Sequence, residues 1–168
     1  VENTDNRISR CRRRMGAVVE TPSIYMDMTA AENICQQYRV LGMPSDDGLG
    51  ALLNLVGLEN TGSRKAKNFS LGMRQRLGIA VALAGSPDFL VLDEPINGLD
   101  PEGIIEMREL ILKLNREHGI TVLISSHILD ELARLATHYG FIDGGRMVRE
   151  LTGRRRNGRS ASCKAFPA

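Results

Sequence analysis

The stretch "FSLGMRQRLGIAVALAGSPDFLVLDEPINGLDPE", Phe69 to Glu102, decides the fold. A polar turn at Ser70 opens a helix predicted over residues 71–84, Gly85-Ser86-Pro87 stops it, and "FLVLDE" (Phe89–Glu94) runs four apolar residues into two acids. An unbroken apolar run of this length marks a strand of a parallel sheet. Such a strand delivers its last residues to the edge where open α/β sheets bind ligands. Two adjacent carboxylates there suit phosphoryl chemistry. Asp93 can hold Mg²⁺ directly or through water, and Glu94 can orient or deprotonate a water attacking phosphorus. A strand end followed by an acidic turn is the plain alternative for the hexapeptide alone.

Working outward, alternation continues: helix 101–117, strand 120–125, helix 128–136 and strand 139–142. This predicts a parallel sheet with covering helices. Asp100 followed by Pro101 supplies an N-cap and an N1 proline, and Gly119 fits the end of that helix. His127 ends "TVLISSH", so pairing of strands 89–93 and 120–125 would bring it beside Glu94, where it could hydrogen-bond a phosphate or the attacking water. Ser70 and Gly72 open a helix whose unpaired N–H groups and dipole favour an anion, with Arg74 and Arg76 close behind. In isolation those residues read better as a cap and two solvated arginines. Upstream, "MGAVVE" (Met15–Glu20) is a short apolar run ending in a carboxylate, followed by a Pro-containing loop. Thr29 and Glu32 form a capping-box pattern for a helix through about Val40, and residues 47–57 carry a second helical period.

The 168 residues are 42% hydrophobic, enough for one domain or part of one. Net charge is +2, but five basic residues follow Glu150; without them 17 basic face 20 acidic residues. That balance argues against a nucleic-acid partner. Cys11, Cys35 and Cys163 form no C-x-x-C pair and stand near no His cluster, which points to a reducing compartment and to neither disulfides nor zinc. The most membrane-like stretch, residues 77–85, is too short to span a bilayer, so a membrane role must come through a partner.

Taken together, "FSLGM", "FLVLDEP", "NGLD" and "SSH", in that order, resemble the signature motif, Walker B, D-loop and switch histidine of the ATP-binding subunits of ABC transporters. The resemblance extends over roughly Met15 to Glu150. It implies a partial P-loop NTPase (RecA-like) α/β core with a parallel sheet and an inserted α-helical subdomain, here about 29–84, with the Walker B to switch-histidine core at about 88–150. It implies ATP and Mg²⁺ as cofactors, with Asp93 positioning Mg²⁺, Glu94 as general base and His127 sensing the γ-phosphate. Glu20, in the Q-loop position, would sit beside the metal and link to the membrane partner. Ser70, Leu71, Gly72 and Met73 make the signature that contacts ATP on the opposite subunit, and Asp100 would communicate across that interface. The implied partners are a second ATPase subunit, packed head to tail, and transmembrane permease subunits that hold the protein on the cytoplasmic face of the membrane.

Two departures are informative. Glu20 replaces the usual glutamine and cannot donate as an amide does, and Ser-Leu-Gly-Met replaces Ser-Gly-Gly-Gln. Both variants are similar to the bacitracin and lantibiotic resistance group, which implies export of a peptide antibiotic. No G-x-x-x-x-G-K-[ST] occurs, so the phosphate cradle and its lysine are not among these residues. The expectation is a chain truncated before the Q-loop, with a polar basic start over 1–14 and negligible ATPase activity alone. The alternative is an inactive remnant or partner-binding fragment. A split chromosome-maintenance-type ATPase head is disfavoured because no heptad run is present. Residues 151–168 are basic and poor in aliphatics, which predicts disorder or a shifted reading frame.

Overall fold

Thr29, Ser70 and Asp100 each begin a helix where the sequence places a cap. The computed structural model describes residues 14–43 and 48–153, with the backbone of 163–166. The chain forms two compact units that divide after Asp88.

The first unit holds strand β1 (Met15–Val18) and helices α1 (Ala30–Val40), α2 (Leu49–Leu55) and α3 (Leu71–Leu83). Thr29 builds the expected capping box. Its hydroxyl accepts from the Glu32 N–H at 3.2 Å, and the Glu32 carboxylate accepts from the Thr29 N–H at 2.7 Å. Behind this cap, Ala30, Asn33, Ile34 and Tyr38 form the buried face of α1. Asn33 is a buried polar residue that is fully employed. It accepts from Tyr25 N–H at 2.7 Å and donates to the carbonyls of Tyr25 at 3.0 Å and Thr29 at 2.9 Å, which fixes the loop after β1.

The helix expected over 47–57 is shorter, Leu49–Leu55, and Asp47 lies outside the described residues. Two short 3₁₀ turns, Glu59–Thr61 and Ala66–Asn68, follow it. Neither carries a periodic signal in the sequence. The second is held by Ala66 N–H to Met28 O and Lys67 N–H to Met26 O, each 2.8 Å, which sets the approach of the chain to Ser70. Helix α3 buries Gln75, Leu77, Gly78, Ile79, Ala80 and Leu83. Gly78 is required by contact: a Cβ there would lie 2.5 Å from the Pro22 Cβ.

The second unit carries β2 (Phe89–Asp93), α4 (Pro101–Arg116), β3 (Thr121–Ser125), α5 (Leu129–Leu135), β4 (His138–Asp143), β5 (Arg146–Thr152) and β6 (Cys163–Phe166). Its strands lie in the order β2-β3-β6-β4-β5. The β2–β3, β3–β6 and β6–β4 pairs are parallel and β4–β5 is antiparallel. This is the α/β class the alternating pattern predicts. Strand β2 is less buried than its apolar run suggested: Leu90 and Leu92 are buried, whereas Phe89 and Val91 are only partly so. Met107, Leu110, Ile111 and Leu114 of α4, spaced by three and four residues, join Val122, Ile124 and Leu132 in the core.

The expectation for residues 151–168 is disorder or a shifted reading frame, and the described part of that range is mostly strand. Leu151 and Thr152 complete β5, and the backbone of Cys163–Phe166 pairs with β3 and β4. Ladder pairing uses backbone groups, so a segment poor in aliphatic side chains can still occupy a gap between two strands. All seven residues of β5 are exposed, which removes the periodic signal a half-buried strand would leave. Residues 154–162, and the basic start over 1–13, lie outside the described residues.

Candidate functional site

Strands β2 and β3 pair in register, with Asp93 opposite Ser125. That register gathers the site. The Ser125 hydroxyl donates to Asp93 Oδ1 and accepts from the Glu94 N–H at 3.0 Å, while the same N–H also reaches the Ser125 carbonyl at 3.2 Å. Glu94 stands in the left-handed region at φ +48°, a conformation that costs a non-glycine residue about 1 kcal/mol or more and is often stored at functional sites. Immediately beyond β2 the chain turns, with Asn97 N–H donating to Glu94 O at 3.1 Å.

His127 follows β3 and meets Glu94. Its Nδ1 lies 3.0 Å from both carboxylate oxygens. The His127 side chain is 59% exposed against 21% for Glu94, so the imidazole faces outward over a more sheltered acid. Ser126, fully buried, accepts from the Ile128 N–H at 3.1 Å and turns the chain into α5. Asp93, Glu94 and His127 are thus brought together as the pairing of the two strands predicts. Asp100 caps α4, accepting from Gly103 N–H at 3.3 Å, so it has a structural duty whatever else it does.

A carboxylate and its phosphate-bearing ligand can share Mg²⁺ with water, without a larger protein cluster. Asp93 fits such a cation: Oδ1 is engaged by Ser125, and Oδ2 is the oxygen a hard cation would take. Among the described residues no group of three or more His, Cys, Asp or Glu converges. Any such cation would therefore depend on the ligand's own oxygens.

In the first unit, the Ser70 hydroxyl accepts from Met73 N–H at 3.2 Å at the start of α3. Leu71 is exposed, and Gly72 and Met73 are half-buried. The two arginines behind them are spent on backbone: Arg74 donates to Phe69 O at 3.2 Å and Lys67 O at 3.4 Å, and Arg76 to Val56 O at 3.3 Å. Arg74 braces the turn before α3, and Arg76 ties α3 to the C-terminal end of α2, a role that neither reading of these arginines named. Glu20, exposed after β1, also sits in the left-handed region at φ +51°. Close by, a groove of about 520 Å³ is lined by Pro22, Tyr25, Gln36, Gln37, Val40 and Val81.

The family description "ABC transporter" matches residues 1–97, more than half of the sequence. The chain belongs to the ABC transporter family. It is 46% identical over 139 residues to the bacitracin transport ATP-binding protein BcrA of Bacillus licheniformis, covering 83% of this chain and 45% of that one. It is 48% identical over 138 residues to the lantibiotic transport ATP-binding protein SrtF of Streptococcus pyogenes, covering 82% and 59%. The chain therefore spans about half the length of the curated relatives it matches. Among solved structures, cbiO1 from Clostridium perfringens, part of the ABC transporter complex cbiONQ, aligns with TM-score 0.76 at 25% identity, over 85% of this chain and 59% of that one. A dimeric post-hydrolysis state of the ATP-binding cassette MJ0796 bound to ADP and Pi aligns with TM-score 0.74 at 25% identity, over 90% and 68%. The resemblance read from the motifs, including the bacitracin and lantibiotic group, is borne out as ABC transporter kinship.

One residue of the site escaped the sequence reading. Ser125 ends β3 and opens the "SSH" stretch, yet the sequence gives only His127 of that stretch a role; the importance of Ser125 comes from register with Asp93. The doubled serine before His127 was the available signal, since a hydroxyl at a strand end finds backbone and carboxylate partners at the ligand-binding edge.

Proposed function

We propose that this chain is the Walker B, signature and switch-histidine portion of an ATP-hydrolysing subunit of an ABC transporter that moves a peptide antibiotic or similar amphiphile out of the cell. The observation that carries the reading is the Glu94 carboxylate held at 3.0 Å by His127, beside Asp93 at the edge of two paired parallel strands. Glu94 would take the proton of the attacking water as the water oxygen bonds to the γ-phosphorus and the bond to the ADP oxygen breaks. His127 orients Glu94 and contacts the phosphate. Asp93 would hold Mg²⁺, which supplies charge neutralisation to the phosphates when bound.

The signature residues Ser70, Leu71, Gly72 and Met73 act on ATP held by a second subunit, and Asp100 lies at that same interface. The dimeric MJ0796 structure supports this pairing. Permease subunits engage the groove beside Glu20, lined by Tyr25, Gln36 and Val40. This keeps the protein at the cytoplasmic face of the membrane although, among the described residues, no helix is long and apolar enough to cross it. Export of a peptide antibiotic rests on the bacitracin and lantibiotic transport relatives.

The test is ATP turnover by the transporter complex purified with its permease, with and without a bacitracin-class peptide. Glu94→Gln should lower turnover by at least about a hundredfold; turnover at the wild-type rate would remove the reading. A second reading is a partner-binding chain without catalysis, since no G-x-x-x-x-G-K-[ST] lies within these 168 residues. The purified chain by itself should release no phosphate, and sustained Glu94-dependent release would refute that.

A further inference from the structure

Three features line up on one side chain. Ser125 donates its hydroxyl proton to Asp93 Oδ1, its oxygen accepts the Glu94 N–H at 3.0 Å, and Glu94 is held in left-handed backbone at φ +48°. The Glu94 N–H does not need the hydroxyl for satisfaction, because the Ser125 carbonyl already accepts it at 3.2 Å. What the hydroxyl adds is a link between the two carboxylate residues. A chain of hydrogen bonds running from N–H through hydroxyl to carboxylate polarises along its length, and each member fixes the next.

From this we infer that Ser125 is a positioning residue for the proposed phosphoryl-transfer site. It sets the side-chain angle of Asp93 by occupying Oδ1, so that Oδ2 is the oxygen that would take a cation. It also anchors the Glu94 backbone in the strained conformation that carries the carboxylate to His127. The hydroxyl touches neither water nor phosphate in this role; it acts through its two neighbours. The inference rests on the phosphoryl-transfer reading above, and its test separates the two.

Ser125→Ala, Ser125→Thr and Glu94→Gln would be compared in the purified transporter complex for ATP turnover, and in the purified chain for amide hydrogen exchange at Glu94. Ser125→Ala should lower kcat about tenfold with little change in KM for ATP, the loss of one hydrogen bond to a charged group. Ser125→Thr, which keeps the hydroxyl on a strand-compatible side chain, should restore kcat to within about twofold. Exchange at the Glu94 amide, which keeps the Ser125 carbonyl but loses the hydroxyl, should quicken about twofold in Ser125→Ala and stay near wild type in Ser125→Thr. Unchanged exchange in Ser125→Ala, or a kcat loss that threonine fails to rescue, overturns the positioning role. A Glu94→Gln complex that still turns over ATP removes the functional reading instead, and leaves the exchange result to judge the link by itself.

Discussion

The Nδ1 of His127 lies 3.0 Å from each oxygen of the Glu94 carboxylate, two residues that are 33 positions apart in sequence and belong to the ends of neighbouring parallel strands. Equal distances to both oxygens mean the imidazole sits across the carboxylate and limits its rotation. His127→Ala should therefore reduce turnover of the assembled transporter by about a hundredfold, the range of one positioned acid-base or electrostatic partner, with smaller effect on ATP binding. Parallel measurement of turnover and nucleotide affinity checks the split.

Asp100 invites a separation of duties. As N-cap of α4 it accepts from Gly103 N–H, and Asp100→Ala should cost about 1 kcal/mol of stability in a denaturant titration. Asp100→Ser keeps a capping oxygen and should melt like the wild type. If Asp100 also works across a subunit interface, the serine variant will still lose ATP turnover in the complex; wild-type turnover would confine Asp100 to capping.

Gly78 sets two effects against each other. In an open helix Gly→Ala stabilises by about 1 kcal/mol, but here the new Cβ would sit 2.5 Å from the Pro22 Cβ. Overpacking at a rigid proline costs about 1–3 kcal/mol and should win. Gly78→Ala is expected to lower the melting temperature, read by circular dichroism.

The capping box of α1 gives a pH dependence with a definite sign. The Thr29 N–H, then the Thr29 hydroxyl contact, hold the Glu32 carboxyl below its ordinary value. A group whose native pKa is depressed stabilises the fold above its unfolded value and loses that contribution as pH falls through the native one. Stability should therefore decline on the acid side of the ordinary glutamate range, and Glu32→Ala should flatten that part of the profile in acid titrations of the melting temperature.

Arg108 of α4 and Glu131 of α5 meet at 3.0 Å with only about a fifth of each side chain exposed. Partial shelter makes this pair worth more than an open surface bridge, about 1 kcal/mol of coupling. A double-mutant cycle with Arg108→Met and Glu131→Gln measures it.

The elements legible in the sequence are those whose signals are local. Thr29 with Glu32, Ser70, and Asp100 with Pro101 announced three helix starts because a cap satisfies N–H groups within three residues of itself. "FLVLDE" and "TVLISSH" announced strands because apolar runs bounded by breakers have few other uses. The 3₁₀ turns after α2, the exposed strand β5 and the late strand β6 had no such local code. The Ala66–Asn68 turn and β6 are held by backbone partners distant in sequence, whereas β5 folds back on β4 across Gly144 and Gly145 and has no buried face to mark it.

The sequence by itself determined the helix caps, the apolar strands, the residue types at the C-terminal edge of the sheet and the ABC transporter motifs that carry them. Only the tertiary structure decided that Asp93 stands opposite Ser125, that one hydroxyl joins Asp93 to the Glu94 backbone, that Arg74 and Arg76 donate to backbone carbonyls, and that β6 lies between β3 and β4. The physical reason is register. A strand's side chains alternate faces whatever it pairs with, but which residue lies opposite which is set by pairing across the sheet, and a shift of one position would turn Ser125 away from Asp93.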